Sequence, residues 1–264
     1  MQRRASSNVI LHAKSDAQLI LSVAIADASN AQEKLVVRLN EEEIPVREVL
    51  DQHGTRLHLA DVSAGRIAIS YDVVVEGQNA DEPEEEIYQI RYLRQSRYCE
   101  SDQLGPTARD EFSGLKGVDL LNAVRNWVNG QLHYVPGYSR TSDGAIHALI
   151  ARQGVCRDFA HLAIALLRAL DVPARLASVY APHLSPMDFH AVAEAYVDGH
   201  WVVIDPTGRA PRQPLMRIAT GRDAADVAWL TVIGGHVNFG SLSVSAECDE
   251  EFEDDHAQLI SLGA

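Results

Sequence analysis

Alternating apolar and polar residues dominate the first part of the chain. Short runs rich in β-branched residues, such as Leu35–Leu39 and Ile67–Val75, follow a period of two and predict antiparallel strands. Turn residues such as His53-Gly54 separate the runs, at a spacing typical of a small sandwich or half-barrel and not of parallel βαβ units. We therefore expect residues 1–78 to form a β-sandwich-like accessory domain.

A polar, acidic segment follows these strands. Residues 81–86 contain five acidic side chains and Pro83, which is typical of a solvated linker or a helix start. The segment lacks the alternating oxygen ligands and the central glycine of an EF-hand loop, so a calcium site is disfavoured. We expect residues 79–115 to be an acidic linker and junction.

Apolar residues recur at helical spacing further along the chain. Leu120, Val124 and Val128 lie on one face of a helix that stops near Gly130. The last of three predicted helices ends before Pro173, whose ring forbids a continuing helix. The predicted helices cover residues 120–130, 143–152 and 155–170.

Strand patterns return after the helices. Ala174–Tyr180 is one predicted strand, and Ala191–Val197 and Trp201–Ile204 are two more, joined by Asp198-Gly199, the sequence of a type I′ hairpin turn. Ser241–Ala246 alternates as a last strand. Helices followed by an antiparallel sheet predict an α+β core, which we place at residues 116–246, with an acidic, solvated tail at 247–264.

Composition and charge narrow the class of partner. The chain has 264 residues, of which 46% are hydrophobic, and a formal net charge of −14, which disfavours nucleic acids and anionic membranes as partners. Twelve of the 37 acidic residues lie in segments 81–86 and 247–255, which leaves 25 acidic against 23 basic residues elsewhere. The sequence also lacks an apolar signal region, any run of 18 apolar residues and any glycine-rich phosphate-binding loop. We expect a cytoplasmic protein.

Three cysteines, Cys99, Cys156 and Cys248, are too far apart for a CxxC metal site or a disulfide framework. Cys156 begins a predicted helix, where unpaired N–H groups and the helix dipole favour the nucleophilic thiolate, and Arg157 adds positive charge. The alternative for Cys156 is a buried core cysteine. Cys99 and Cys248 are interpreted as structural or incidental.

A base and a group to orient it lie in the hairpin that follows. His190 opens the first strand, and Asp205 closes the second, before Pro206 ends the pairing. With a two-residue turn at Asp198-Gly199, paired residue numbers sum to 397, so Asp205 is a diagonal neighbour of His190 on one face. A three-residue turn would place Asp205 on the opposite face.

These motifs resemble those of a known family. Cys156 in GVCRDFAHLAIALLRALDVPARL, His190 in DFHAVAEAYV and Asp205 in WVVIDPTG are similar to the bacterial transglutaminase-like superfamily, with a close match over residues 117–208. The resemblance implies a papain-like core behind an N-terminal β-domain. It also implies that Cys156, His190 and Asp205 form a Cys-His-Asp catalytic triad.

The resemblance implies acyl transfer through a thioester on a peptide or carboxamide bond. A cysteine peptidase or amidase uses water as acceptor, a transglutaminase uses an amine, and a non-catalytic peptide-binding module is the third alternative. We expect a peptide or protein substrate, no cofactor and no metal. Tyr134 is a candidate cleft residue, and Asp158 has two interpretations, a helix cap or a site for a cationic substrate group.

Overall fold

The order of elements along the chain is strands, then helices, then strands. A computed structural model describes residues 1–78 and 85–262. The first strands are β1 (Gln2–Ala13), β2 (Ala17–Leu21), β3 (Ala31–Leu39), β4 (Glu42–Glu43), β5 (Arg47–Leu50), β6 (Arg56–Val62) and β7 (Gly65–Glu76). Next come α1 (Glu86–Arg91), α2 (Ser101–Phe112), α3 (Gly117–Gln131), β8 (His133–Tyr134), α4 (Ala145–Ala151), β9 (Gln153–Gly154) and α5 (Cys156–Ala169). The last strands are β10 (Ala174–Tyr180), β11 (His190–Val197), β12 (His200–Ile204), β13 (Met216–Gly221), β14 (Leu230–Ile233) and β15 (Val237–Cys248).

Two antiparallel sheets form a sandwich from the N-terminal strands. Their strand orders are β15-β1-β7-β3-β4 and β14-β2-β6-β5. The period-two pattern explains the packing, because alternate residues such as Val9 and Leu11 on β1, and Ile67 and Ile69 on β7, all point into one apolar core.

Two strands from the end of the chain complete the sandwich. From the sequence we expected these residues to belong to the α+β core at 116–246. Strand β15 pairs with β1 from Arg3↔Cys248 to Ala13↔Val237, and β14 pairs with β2. Alternation along a strand shows which face is apolar but does not specify the partner strand. The segment 116–246 is therefore not one continuous structural unit.

The predicted junction at residues 79–115 contains a core helix. Leu104, Ala108 and Phe112 of α2 are buried, and α2 packs against α5. Residues 79–84, and with them most of the acidic segment considered for calcium, lie outside the described residues. The part that is described is thus more structured than a solvated linker.

Helix α5 lies against the sheet of order β12-β11-β10-β13. Residues 158–168 of this helix are all buried, so it forms the centre of the larger apolar core. The helix ends at Ala169, and Asp171 then adopts a left-handed conformation with φ of 60° just before Pro173. The predicted helix at 155–170 is confirmed to within one residue at each end. No helix in residues 1–78 or 85–262 has the length and apolar content needed to cross a bilayer.

The β11–β12 hairpin has the predicted turn and register. Asp198 and Gly199 both have positive φ, 53° and 86°, as a type I′ turn requires. Val197 pairs with His200 and the register continues to Ala193↔Ile204, so paired numbers sum to 397. The register on which the site depends is confirmed.

The acidic tail packs on the protein instead of extending into solvent. The Met1 amino group lies 2.9 Å from the Glu250 carboxylate, and the Val203 N–H donates to the Ile260 carbonyl at 2.8 Å. Leu262 is buried in an apolar cluster that includes Val203. Acidic composition indicated solvation, but it does not reveal the cations and backbone groups that meet these carboxylates in the fold.

The turn can be tested with one pair of glycine substitutions. A left-handed φ costs an L-residue about 1 kcal/mol, so Gly199→Ala should lower the free energy of unfolding by about that amount. Gly130→Ala in α3 is the matched control, since at both positions an added methyl group meets no atom within 4 Å. This control should raise the free energy of unfolding by about 0.5–1 kcal/mol, because alanine favours helices. Urea denaturation measures both changes, and a stabilising Gly199→Ala would contradict the turn.

Candidate active site

The capped N-terminus of α5 sets the position of Cys156. Cys156 is the first helical residue, and Val155 before it is extended. The Asp158 carboxylate accepts the Val155 N–H at 2.8 Å, which caps the helix start. Gly154 is required because a Cβ there would lie 2.6 Å from the Asp158 Cβ. The thiol is half-buried and sits where the positive end of the helix dipole is strongest.

Asp158 belongs to this capping structure. It is 1% exposed, and its carboxylate also accepts the Ser139 hydroxyl at 3.0 Å. The Arg157 guanidinium lies 3.5 Å from the same carboxylate. The buried carboxylate has no surface for a cationic substrate group, so the substrate-binding interpretation of Asp158 is corrected in favour of the cap.

The hairpin brings His190 and Asp205 together. His190 Nε2 lies 2.8 Å from Asp205 Oδ2, and the two residues are 2% and 1% exposed. The other carboxylate oxygen accepts the Thr207 N–H at 2.8 Å and the Thr207 hydroxyl at 2.7 Å. Both oxygens of the buried carboxylate are therefore satisfied, which fixes its orientation.

The Cys156 side chain lies near the same imidazole and is among the groups that raise its pKa. Because Nε2 faces Asp205, Nδ1 is the ring nitrogen left for the sulfur. Burial alone lowers the pKa of His190, but the Asp205 carboxylate and Cys156 together raise it to about 10. For Asp205 the effects are reversed. Burial alone raises the pKa of its carboxyl group, but the positive charge of His190 and the hydrogen bonds from Thr207 bring the pKa below its ordinary value. The arrangement favours an imidazolium beside a carboxylate.

This pKa shift has a defined effect on stability. A histidine whose pKa is raised on folding stabilises the protein fully below its unfolded pKa of about 6.5. The contribution is lost as the pH rises through the folded value of about 10. The His190–Asp205 pair therefore stabilises the fold at neutral pH and loses this effect in alkali.

Tyr134 lies beside the thiol. Its hydroxyl lies near the start of α5, and burial together with the Cys156 sulfur raises the pKa of the phenol to about 12. The Tyr134 ring packs near Phe159, and the Arg209 guanidinium lies 4.4 Å from the ring centroid. Tyr134 is thus a neighbour of the Cys156 thiol.

Thr207 and Arg209 were not identified by the sequence analysis. Thr207 could have been found, because an Asp two residues before a Thr favours an Asx-turn in which the carboxylate accepts the later N–H. Arg209 has no comparable pattern, since it reaches Tyr134 from a distant part of the chain. Its guanidinium also donates to the Ser185 carbonyl.

The other two cysteines have different surroundings. Cys99 is fully buried, and burial raises the pKa of its thiol to about 12. Cys248 ends the edge strand β15 and is half-buried. In residues 1–78 and 85–262, no group of three or more His, Cys, Asp or Glu side chains is arranged to hold a metal ion.

Comparison with known proteins agrees with this geometry. Residues 107–206 match the model of the transglutaminase-like superfamily. The chain is also similar to a solved structure from Cytophaga hutchinsonii described as "a Putative Cysteine Protease", with 30% identity and a TM-score of 0.87. The similarity covers 98% of this chain and 96% of that protein. The chain belongs to the transglutaminase-like superfamily. The match includes the N-terminal sandwich as well as the α+β part of this transglutaminase-like protein.

Mycobacterial proteins are also similar to part of the chain. An uncharacterized protein of Mycobacterium leprae is 32% identical over 118 residues, which is 40% of this chain and 41% of the relative. An uncharacterized protein of Mycobacterium tuberculosis H37Rv is 32% identical over 125 residues, 42% of this chain and 40% of the relative. The matches span about two fifths of the length of these curated relatives.

The His190–Asp205 bond predicts an imidazolium that persists well above neutral pH. Replacing the carboxylate in Asp205→Asn should move the midpoint of His190 titration down toward the ordinary value of about 6.5. NMR titration of the ring protons measures the midpoint. Asp198→Asn makes the same change at the exposed turn of the hairpin and should leave the midpoint where it is. Equal midpoints in the wild type and Asp205→Asn would show that the carboxylate does not hold the proton.

Proposed function

We propose that this transglutaminase-like protein is a cysteine-dependent hydrolase that cleaves peptide or carboxamide bonds through a thioester. The observation that carries the proposal is the 2.8 Å bond between His190 and Asp205 beside a half-buried thiol, Cys156, that acts on the same imidazole. A nucleophile, a base and a group that orients the base are the parts that acyl transfer requires.

In the first half-reaction the sulfur of Cys156 attacks the carbonyl carbon of the substrate. The attacking form is the thiolate, whose proton already lies on His190 as the imidazolium that Asp205 favours, and the carbonyl π electrons move to oxygen. The C=O bond then re-forms, the C–N bond breaks, and His190 gives its proton to the departing amine. The acyl group remains on Cys156 as a thioester.

In the second half-reaction His190 removes a proton from water, and the resulting hydroxide attacks the thioester carbon. The C–S bond breaks, the sulfur leaves as a thiolate and the product is a carboxylic acid. Asp205 accepts the Nε2–H bond throughout, which holds the productive tautomer and stabilises the positive charge on the ring.

The oxyanion of each tetrahedral intermediate needs two donors. The Cys156 N–H at the start of α5 is one, and the hydroxyl of the neighbouring Tyr134 is the second. A substrate oxygen placed between them would accept both hydrogen bonds, in a setting where the helix dipole also favours negative charge. This assigns Tyr134 a direct role in the candidate site.

Hydrolysis and amine transfer share the thioester and differ in the acceptor. The Cytophaga hutchinsonii relative, similar along nearly the whole chain, is described as "a Putative Cysteine Protease", which supports water as the acceptor. A transglutaminase remains the alternative within the same chemistry, and a peptide-binding module is the alternative without chemistry.

Product analysis distinguishes these functions. With a glutamine-containing peptide and a labelled amine, we expect new amino termini or free ammonia and no incorporated label. Cys156→Ser should lower product formation at least about a thousandfold, whereas Cys248→Ser is the control and should retain full activity. Incorporated label would assign a transglutaminase, and unchanged biological function of Cys156→Ser would favour a binding module.

The role of Tyr134 is tested by removing one oxygen atom. Tyr134→Phe should lower kcat about ten- to a hundredfold, because one oxyanion donor is lost, and should change KM little. Tyr138→Phe, four residues further along the chain, is the matched control, since that ring stacks on His147. Steady-state kinetics separate kcat from KM, and a change confined to KM would contradict the oxyanion role.

A further inference from the structure

The C-terminal residues 249–262, here called the strap, cover the outer edge of the sheet that carries Asp205. Strand β12 is at the edge of its sheet. The N–H of Val203 in β12 donates to the Ile260 carbonyl at 2.8 Å, and its carbonyl accepts from Arg212 Nη1 at 3.2 Å. Both outward backbone groups of Val203 are thus held by the strap or by a residue bound to it.

Arg212 joins the strap to the strand. Its side chain is 4% exposed, and Nε lies 2.9 and 3.0 Å from the two oxygens of the Asp254 carboxylate. Nη2 donates to the carbonyls of Asp255 at 2.9 Å and Gln258 at 3.3 Å. One guanidinium therefore binds β12 and three residues of the strap, a geometry that needs the planar fork of arginine.

The strand held in this way leads directly to Asp205. The ladder between β11 and β12 stops at Ala193↔Ile204, one residue before Asp205. From the other side, α3 binds the backbone around Asp205: Arg125 Nε donates to the Asp205 carbonyl at 3.3 Å. Asn129 donates to the Pro206 carbonyl at 2.8 Å. The position of Asp205 therefore depends on α3 on one side and on the strap, through Val203, on the other.

We propose that Arg212 and the strap are positioning elements that hold Asp205 in hydrogen-bonding reach of His190. The predicted loss of kcat rests on the proposed function. The predicted change in the pH dependence of Cys156 alkylation does not rest on it. Loss of the strap would free the edge of β12, and a shift of about 1 Å at Asp205 would lengthen the bond that stabilises the imidazolium.

Charged groups other than the strap carboxylates also act near Asp205. His190 approaches from β11, Arg125 from α3 and His256 from the strap itself. Arg212→Lys keeps the local charge and leaves these three groups with their partners, whereas Asp254→Asn also removes the carboxylate that lies 3.8 Å from His256. Single substitutions therefore test positioning more directly than removal of the strap.

The test measures the pH dependence of Cys156 alkylation by iodoacetamide, together with kcat, KM and the melting temperature. Arg212→Lys keeps the charge but cannot bridge Val203 and the strap carbonyls. Asp254→Asn weakens the same link from the other side. In both variants we expect the pH at which alkylation reaches half of its maximal rate to rise by about one unit. We also expect kcat to fall about tenfold, with KM unchanged. Glu251→Gln, an exposed change in the strap, is the control and should match the wild type.

A chain ending at residue 248 gives an independent variant. Its alkylation profile should shift in the same direction, and a synthetic peptide of residues 249–262 should restore it. Should that chain fail to fold, Asp254→Asn decides the question. A wild-type alkylation profile in folded Arg212→Lys and Asp254→Asn, even with a lowered melting temperature, would overturn the proposal. A wild type that cleaves no amide, combined with shifted profiles in the variants, would refute the proposed function but leave the positioning role intact.

Discussion

A buried imidazole and a buried carboxylate are each unfavourable alone, and the 2.8 Å bond between His190 and Asp205 is what makes both stable in this fold. The bond requires the end of β12 to meet the start of β11 on one face. That condition depends on the two-residue turn at Asp198-Gly199 and on the strand register that the turn sets. It also depends on Arg125 and Arg212, which bind the backbone near the end of β12. Most of the structure around the site serves this condition.

The same strand carries a second buried charge. Glu194 of β11 is fully buried and lies 2.9 Å from Arg175 Nε and 2.6 Å from Arg217 Nη1. These arginines come from β10 and β13, so one carboxylate links three strands of the sheet. Burying such charges is costly, and the ion pairs with Arg175 and Arg217 offset the cost. The cluster fixes the sheet that positions His190, four residues away.

The N-terminal sandwich and the α+β part share apolar and polar contacts. The Tyr180 hydroxyl of β10 donates to the Val23 carbonyl at 2.8 Å and lies 3.0 Å from the Ser7 hydroxyl. Buried residues of β1 and β7 belong to the same apolar core as α5. Since β14 and β15 return to the N-terminal sheets, the chain crosses between the two parts more than once. The division expected from composition therefore underestimates how closely they are joined.

Local patterns in the sequence determined the features whose physics is local: the helix that presents Cys156, the type I′ turn, the hairpin register and, from these, the meeting of His190 with Asp205. The pairing of β15 with β1, the burial of the Asp158 cap and the docking of the acidic tail were decided only by the tertiary structure. Each of these depends on groups distant in the chain. A period of two does not specify which strand is the partner. A run of carboxylates in the sequence does not indicate that one of them binds the buried Arg212.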